Sequence, residues 1–273
     1  MTDKGPFLRW AGGKSWLIKY LEIIIGDLKF NHYHEPFLGG AAIFFSIEHS
    51  RKAYLSDINS DLIDTYIAVR DQPQKVISKL TEFNNSEYDY YRIRSETFNN
   101  IIEKAAQFIF LNQTSYNGLY RVNKFGKYNV PYGFRKNWEC NIKRIYEASL
   151  VLKQANIKFG DFETNKYKIQ CGDLIFIDPP YTVSHNNNGF IEYNRNLFSI
   201  KDQYRLSEYI DYIKKKDAYY ILTNAAHERI EEIFEKGDLK LTLDRYSLIG
   251  GKESKREKVS EYIFTNIQKG VIK

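Results

Sequence analysis

Leu174-Ile175-Phe176-Ile177-Asp178-Pro179-Pro180-Tyr181 is the segment of this sequence best suited to chemistry. A short apolar run bounded by prolines reads as a buried strand. The prolines end it, because neither can donate to a sheet ladder and each restricts the residue before it. The chain therefore leaves the carboxyl edge of a sheet at Asp178, the edge where α/β proteins bind ligands. Two acceptors stand there, the Asp178 carboxylate and the Pro179 carbonyl. Pro180 brings no N–H to occupy them, and Tyr181 adds an aromatic face. A planar NH2 group on a stacked ring needs this set: one acceptor for each hydrogen and a flat surface for the ring. Asp-Pro and Pro-Pro also form ordinary turns, so the preceding strand is what sets the segment apart.

A second set is Glu35-Pro36-Phe37-Leu38-Gly39-Gly40-Ala41-Ala42, with Asp57 lying 18 residues beyond Gly39. Glycines between a strand and a helix allow close approach of a ligand. An acid at the end of the next strand can bind ribose hydroxyls. The spacing suits a nucleoside cofactor, although the full G-x-G-x-x-G is absent; a packed turn with a surface Asp57 would read the same. A third set is Arg9-Trp10-Ala11-Gly12-Gly13-Lys14. It is not a P-loop, whose glycines stand further apart, and Lys14 suits a carboxylate better than a triphosphate.

The elements that must carry these residues alternate. Helices are expected at 15–25, 41–48 and 62–70, and strands at 34–37 and 52–56, which together make a βαβ unit. Residues 74–111 read as helical and charged. Residues 119–130 alternate and turn at Gly126, a β-hairpin signal. A helix is expected at 139–152, strands at 157–159, 174–177 and 218–222, and helices at 201–214 and 227–234. Residues 239–247 and 259–265 close as an antiparallel pair. The chain thus reads as an α/β domain (1–60 and 150–273) interrupted by a mostly helical insertion (61–149).

The chain has 273 residues, 43% hydrophobic and 27% charged, which excludes intrinsic disorder. No apolar run approaches the roughly 18 residues of a membrane span, and no secretory signal is apparent. Two cysteines, Cys140 and Cys171, cannot make a disulfide framework, and a cytoplasmic setting is expected. The five histidines, His32, His34, His49, His185 and His227, lack ligand spacing, so no metal is expected. The net charge is +6. Between Tyr116 and Ile145 stand seven basic residues (Arg121, Lys124, Lys127, Arg135, Lys136, Lys143 and Arg144) and one acid, Glu139, a surplus as large as the whole chain's. Aromatic residues and a hairpin share that window. A solvated basic loop and a nucleic-acid surface both fit it.

Together these motifs resemble the DNA adenine methyltransferase (Dam) family. The resemblance rests on WAGGK (Trp10–Lys14), PFLGG (Pro36–Gly40) with SDIN (Ser56–Asn59), NGLYRVN with YNVPYG (Asn117–Asn123 and Tyr128–Gly133), and DPPY (Asp178–Tyr181), in the family's α order. It implies a Rossmann-like methyltransferase sheet with helices on both faces, and an inserted target-recognition domain carrying the hairpin. It implies S-adenosylmethionine as cofactor and N6 of a flipped adenine in duplex DNA, within GATC, as substrate. By resemblance, Asp178, Pro179, Pro180 and Tyr181 are catalytic. Trp10, Lys14, Glu35, Phe37, Gly39, Gly40, Asp57 and Asp178 would hold the cofactor. Arg9, Tyr116, Asn117, Leu119, Arg121, Asn123, Pro131 and Arg135 would meet DNA. Relatives often read P-[FY]-G-R-Y after the hairpin. Here Pro131-Tyr132-Gly133-Phe134-Arg135 exchanges the aromatic and basic positions, leaving base or phosphate open as the contact of Arg135.

The expected partners are double-stranded DNA and, for a member of a restriction–modification pair, a cognate endonuclease. No membrane partner is expected, and the chain is expected to be a monomer or weak dimer. Rival readings are methyl transfer to cytosine N4 or to a glutamine amide, and a non-catalytic DNA-binding module. The acid of DPPY favours adenine, and the Gly39–Asp57 motif argues against a bare binding module.

Overall fold

The computed structural model describes residues 5–47, 52–135, 138–182, 198–246 and 258–267. Three residues weighed above, His49, Lys136 and His185, fall outside them. In chain order the described residues form α1 (Ile18–Ile25), β1 (Tyr33–Glu35), α2 (Ala42–Ser46), β2 (Ala53–Asp57), α3 (Ser60–Asp71), α4 (Pro73–Thr81), α5 (Glu87–Ser95), α6 (Ile101–Thr114), α7 (Ile142–Leu152), β3 (Ala155–Phe159), β4 (Leu174–Ile177), α8 (Ile200–Lys215), β5 (Tyr219–Ala225), α9 (Glu228–Phe234), β6 (Leu239–Tyr246) and β7 (Lys258–Thr265). The architecture is mixed α/β, with seven strands and helices packed against them. Among the described residues no helix is long and apolar enough to cross a membrane.

The chain divides by its contacts into two compact units, Met1–Ile18 with Leu38–Asp161, and Lys19–Phe37 with Phe162–Lys273. In the first unit β2 and β3 pair in parallel, with Asp57 opposite Phe159. Helix α3 packs on both strands and on α4, α6 and α7, which is why these strands group with the helices. Side-chain caps start the helices: Asn59 accepts from Leu62 N–H, Ser86 from Asp89 N–H, Asn100 from Glu103 N–H and Asn141 from Arg144 N–H. Each satisfies an amide that has no intrahelical partner, worth about 1 kcal/mol. The core centres on α6, whose Ala105, Ala106, Phe108, Ile109, Phe110 and Leu111 are all buried. Phe110 meets Phe83, Tyr90 and Trp138 ring to ring.

In the second unit the strands run β1-β4-β5-β7-β6. β1, β4 and β5 are parallel, and β7 is antiparallel to both its neighbours. Every residue of β4 is buried, as a strand covered on both faces requires. Leu206, Tyr209, Ile210 and Ile213 of α8 make one stripe at helical spacing. They pack with Ile175 and Ile177 of β4, Tyr220 and Leu222 of β5, and Phe264 of β7. A capping box at Ser199 and Asp202 starts α8. β5 runs three residues beyond the expected Leu222, because Ala225 still pairs with Glu261 of β7.

α2 is shorter than expected. Ala41 takes the left-handed region at φ 56°, and Ile47 is extended, so only five residues are helical. The 119–130 segment also differs. It carries a single bridge, Val122 with Tyr128, in place of paired strands. Its arms still meet through the backbone: Asn123 N–H donates to Lys127 O at 2.9 Å and Asn129 N–H to Arg121 O at 3.1 Å, and Tyr116 N–H donates to Pro131 O at 2.9 Å. Past the arms, Gly133 N–H donates to Thr114 O at the end of α6, at 2.9 Å.

Candidate functional site

In the first unit, the Trp10 to Lys14 segment folds into a tight turn. Gly13 N–H donates to Trp10 O at 3.1 Å, and Gly12 sits at φ 81°. The buried Lys14 donates from Nζ to Gly12 O at 3.2 Å. Trp10 lies over the glycine turn ahead of α2. A Cβ on Gly39 would come 2.9 Å from the indole, and one on Gly40 would come 2.7 Å from Trp10 Cβ. The two glycines therefore admit Trp10 itself. Tyr120, from the basic window, stacks on the indole with ring centroids 5.7 Å apart and planes 21° apart. Gly40→Ala is expected to displace Trp10 and destabilise the fold by about 1–3 kcal/mol, the usual cost of overpacking. Urea unfolding checks this, and an unchanged midpoint would contradict the packing described.

Asp57 ends β2 and closes back on the same turn. Its Oδ2 accepts from Gly39 N–H at 2.9 Å and its Oδ1 from Asn59 N–H at 2.9 Å. Tyr66 hydroxyl donates to Gly39 O at 3.0 Å. Burial pushes the Asp57 carboxyl above its ordinary value, opposed by the amides of Gly39, Asn59 and Ile58. The spacing seen in the sequence is thus a direct contact. Each carboxylate oxygen keeps a second lone pair, so Asp57 can hold the turn and still receive a hydroxyl.

The basic window is built on the end of α6. Fully buried Asn112 clamps the Arg9 peptide: its Oδ1 accepts from Arg9 N–H at 2.8 Å and its Nδ2 donates to Arg9 O at 2.6 Å. Gly118, at φ 63°, makes room for the Arg9 side chain, since a Cβ there would lie 2.7 Å from Arg9 Cβ. Asn117 beside it also has a positive φ. Burial and then the nearby Arg135 charge lower the pKa of Arg9. Arg135 donates to Gln113 O at 3.2 Å. Two guanidiniums set this way suit an anion or a base edge rich in acceptors.

Beyond it, Asn123 N–H donates to Lys127 O at 2.9 Å, and Asn123 Oδ1 accepts from the amides of Phe125 and Lys127. That reversal fixes Asn123 as a turn residue. Arg121 spans the two arms, donating to Asn129 Oδ1 at 2.8 Å. Leu119 O accepts from Tyr128 hydroxyl at 2.6 Å, and Pro131 O from Tyr116. Tyr116, Phe125 and Phe134 are exposed. This unit therefore brings together Trp10, Gly39, Gly40 and Asp57, and separately Arg9, the 116–119 turn, Arg121, Pro131 and Arg135.

The second unit holds Glu35, Phe37 and the Asp178–Tyr181 run. Buried Glu35 accepts from Tyr33 hydroxyl at 2.7 Å; burial and then Glu35 push the Tyr33 phenol well up. Phe37 stacks on Phe162 and meets Phe198 edge-on, each at 5.6 Å. Asp178 Oδ1 accepts from Thr223 hydroxyl at 2.7 Å. Pro179 is buried, and Pro180 is half-buried. Tyr181 hydroxyl donates to Glu261 Oε2 at 2.6 Å. Behind the run, Gln203 of α8 bridges Thr182 Oγ1 and Asn224 Nδ2.

Thr223, Glu261, Gln203 and Asn112 were not anticipated. One signal was available for Glu261: an acid among Tyr, Ile and Phe within a closing strand. Among the described residues no group of three or more His, Cys, Asp and Glu could hold a metal.

The chain is similar to several known proteins. The chain is 35% identical to a Type II methyltransferase of Lactococcus lactis subsp. cremoris, over 96% of this chain and 95% of that protein. It is 32% identical to a Type II methyltransferase of Methanocaldococcus jannaschii, over 96% and 98%. It is 31% identical to a DNA adenine methylase of Serratia marcescens, over 90% and 88%. The family described as D12 class N6 adenine-specific DNA methyltransferase matches residues 10–248. Most of the chain lies within that match, from Trp10 through the Asp178–Tyr181 run, and the chain belongs to this family.

Proposed function

We propose that the protein methylates N6 of an adenine in duplex DNA, within GATC, after turning the base out of the stack. The observation that carries this reading is the fixed Asp178–Tyr181 run. Thr223 holds the Asp178 carboxylate, and Glu261 holds the Tyr181 hydroxyl. N6 is paired and stacked in a duplex, so the base must leave it, at a cost of a few kcal/mol. Stacking on Tyr181 offsets about 1–3 kcal/mol of that.

The amine then places its two hydrogens on the Asp178 carboxylate and the Pro179 carbonyl. In adenine the N6 lone pair is delocalised into the ring. Two in-plane acceptors favour a more tetrahedral nitrogen, whose lone pair is free to attack. S-adenosylmethionine supplies the activated methyl group. Trp10, Lys14, Glu35, Phe37, Gly39, Gly40, Asp57 and Asp178 are proposed to hold it. An acid closing a strand beside a glycine turn suits a nucleoside. In-line positioning does the remaining work, and Asp178 takes the proton released from N6. Cys140 and Cys171 have no step to perform.

Residues 61–149 are proposed as the recognition domain on residues 1–60 and 150–273. Arg9, Tyr116, Asn117, Leu119, Arg121, Asn123, Pro131 and Arg135 are its DNA-facing set. The relatives named as Type II methyltransferases support a cognate endonuclease as partner, in the cytoplasm. A monomer or weak dimer suffices. Arg121→Ala is expected to relax discrimination between GATC and one-mismatch duplexes by roughly 1–3 kcal/mol, the scale of one bidentate base contact. Competition binding measures it, and undiminished discrimination removes Arg121 from the base readers. The reading as a whole is tested by methylating a plasmid and mapping the modified adenines. GATC is expected, and another sequence would replace it.

A further inference from the structure

We propose that Glu261 is a positioning residue for methyl transfer, aiming the Tyr181 ring and making it electron-rich. This rests on the proposed function and names a part of the site outside the Asp-Pro-Pro-Tyr motif. Glu261 stands on β7, opposite Ala225 of β5, and is fully buried. A buried carboxylate is costly unless hydrogen bonds satisfy it. Ile263, two residues on and therefore on the same face, is buried and apolar. Tyr181 hydroxyl engages this acid, donating to Oε2 at 2.6 Å.

The geometry points to two effects. A tyrosine hydroxyl lies on the long axis of its ring. A hydrogen bond to it fixes where that axis points and leaves both faces of the ring for stacking. Glu261 is carried by a strand bonded on both sides, to β5 and β6, so the anchor itself is rigid. The second effect is electrostatic. A short O–H···O contact to a carboxylate is of the charge-assisted kind and leaves more electron density on the ring. Methyl transfer makes the amine, and hence the adenine, transiently cationic before the N6 proton leaves. An electron-rich aromatic face stabilises a cation stacked against it. Thr223 does the matching work for Asp178 from the neighbouring strand.

Single-turnover methyl transfer to a GATC duplex tests this with wild type, Glu261→Gln, Tyr181→Phe and the double variant. The glutamine keeps an acceptor and removes the charge; the phenylalanine removes only the hydroxyl. Each single variant is expected to slow transfer roughly tenfold, the scale of one charge-assisted hydrogen bond, with duplex affinity unchanged. The double variant should be no slower than Tyr181→Phe. In a duplex with 2-aminopurine at the target position, both single variants should brighten the probe, because the flipped base is less firmly stacked. Wild-type rates in Glu261→Gln, or losses that multiply in the double variant, overturn the proposal. Should Glu261→Gln fail to fold, Tyr181→Phe decides alone: unchanged transfer and unchanged fluorescence overturn it. Absence of adenine methylation by the wild type overturns the underlying function, and this proposal with it. Wild-type methylation with an equally active Glu261→Gln overturns this proposal alone.

Discussion

Asp178→Ala will fold, bind duplex DNA and transfer no measurable methyl group. Removing a preorganised hydrogen-bonding group from the reacting atom typically costs 10²–10³-fold, on the order of 3–4 kcal/mol. Asp178 is proposed to accept an N6 hydrogen and then the released proton, so about 10³-fold or more is expected. The fold should survive. Thr223 hydroxyl loses its acceptor, a change worth about 1 kcal/mol. Circular dichroism and single-turnover methylation separate the two effects. Normal dichroism with wild-type turnover would remove Asp178 from the chemistry.

The largest loss of stability is expected from Asp173→Ala. Asp173 is fully buried, just ahead of β4. It meets His34 Nε2 at 2.9 Å and His32 Nδ1 at 3.2 Å, and accepts from His32 N–H at 3.0 Å and Gln170 N–H at 2.9 Å. This cluster ties β1 to β4. Truncating the acid leaves four donors without their acceptor, the buried His34 ring among them, costing about 3–5 kcal/mol. Urea unfolding measures this, and a loss under 1 kcal/mol would contradict it.

The same cluster makes the fold acid-sensitive. Burial lowers the His34 pKa below 6.5, against the pull of Asp173. The unfolded chain then binds this proton first, so stability falls as pH drops below that value. Burial raises the Asp173 carboxyl, but the His34 hydrogen bond and the amides of Gln170 and His32 outweigh it and hold the carboxyl below 3.8. Its contribution is present above that value and is lost as pH falls through the folded pKa. Melting temperature should therefore decline as pH falls below about 6.5 through His34, and decline further below about pH 4 through Asp173. A melting temperature that rises on acidification would contradict both assignments.

Local order was legible in the sequence; long-range contact was not. The strand at 174–177 and its termination at Asp178 follow from residue types that have few alternatives. So does α8, whose apolar stripe repeats at helical spacing. The glycines at 39 and 40 announced a close approach but not what approaches, and Trp10 comes from a segment some thirty residues earlier. Glu261 lies 80 residues from Tyr181, and Asn112 lies 103 from Arg9. Both contacts depend on how distant elements pack, which no local pattern encodes. The 119–130 segment alternates like a hairpin and does turn back on itself, through backbone hydrogen bonds from Asn123 to Lys127 and from Asn129 to Arg121, but it carries a single bridge, Val122 with Tyr128. Its tyrosines are packing groups too: Tyr120 stacks on Trp10, and Tyr128 bonds to Leu119 O. Aromatic content in a basic window therefore mixed two purposes that composition could not separate.

The central claim is the identity of the atom that receives the methyl group. Incubating the protein with unmethylated plasmid and S-adenosylmethionine, digesting the DNA to nucleosides and separating them by mass spectrometry tests it directly. The account predicts N6-methyladenine as the one new nucleoside, and none with Asp178→Ala. N4-methylcytosine, or no modified base at all from the wild-type protein, would contradict it.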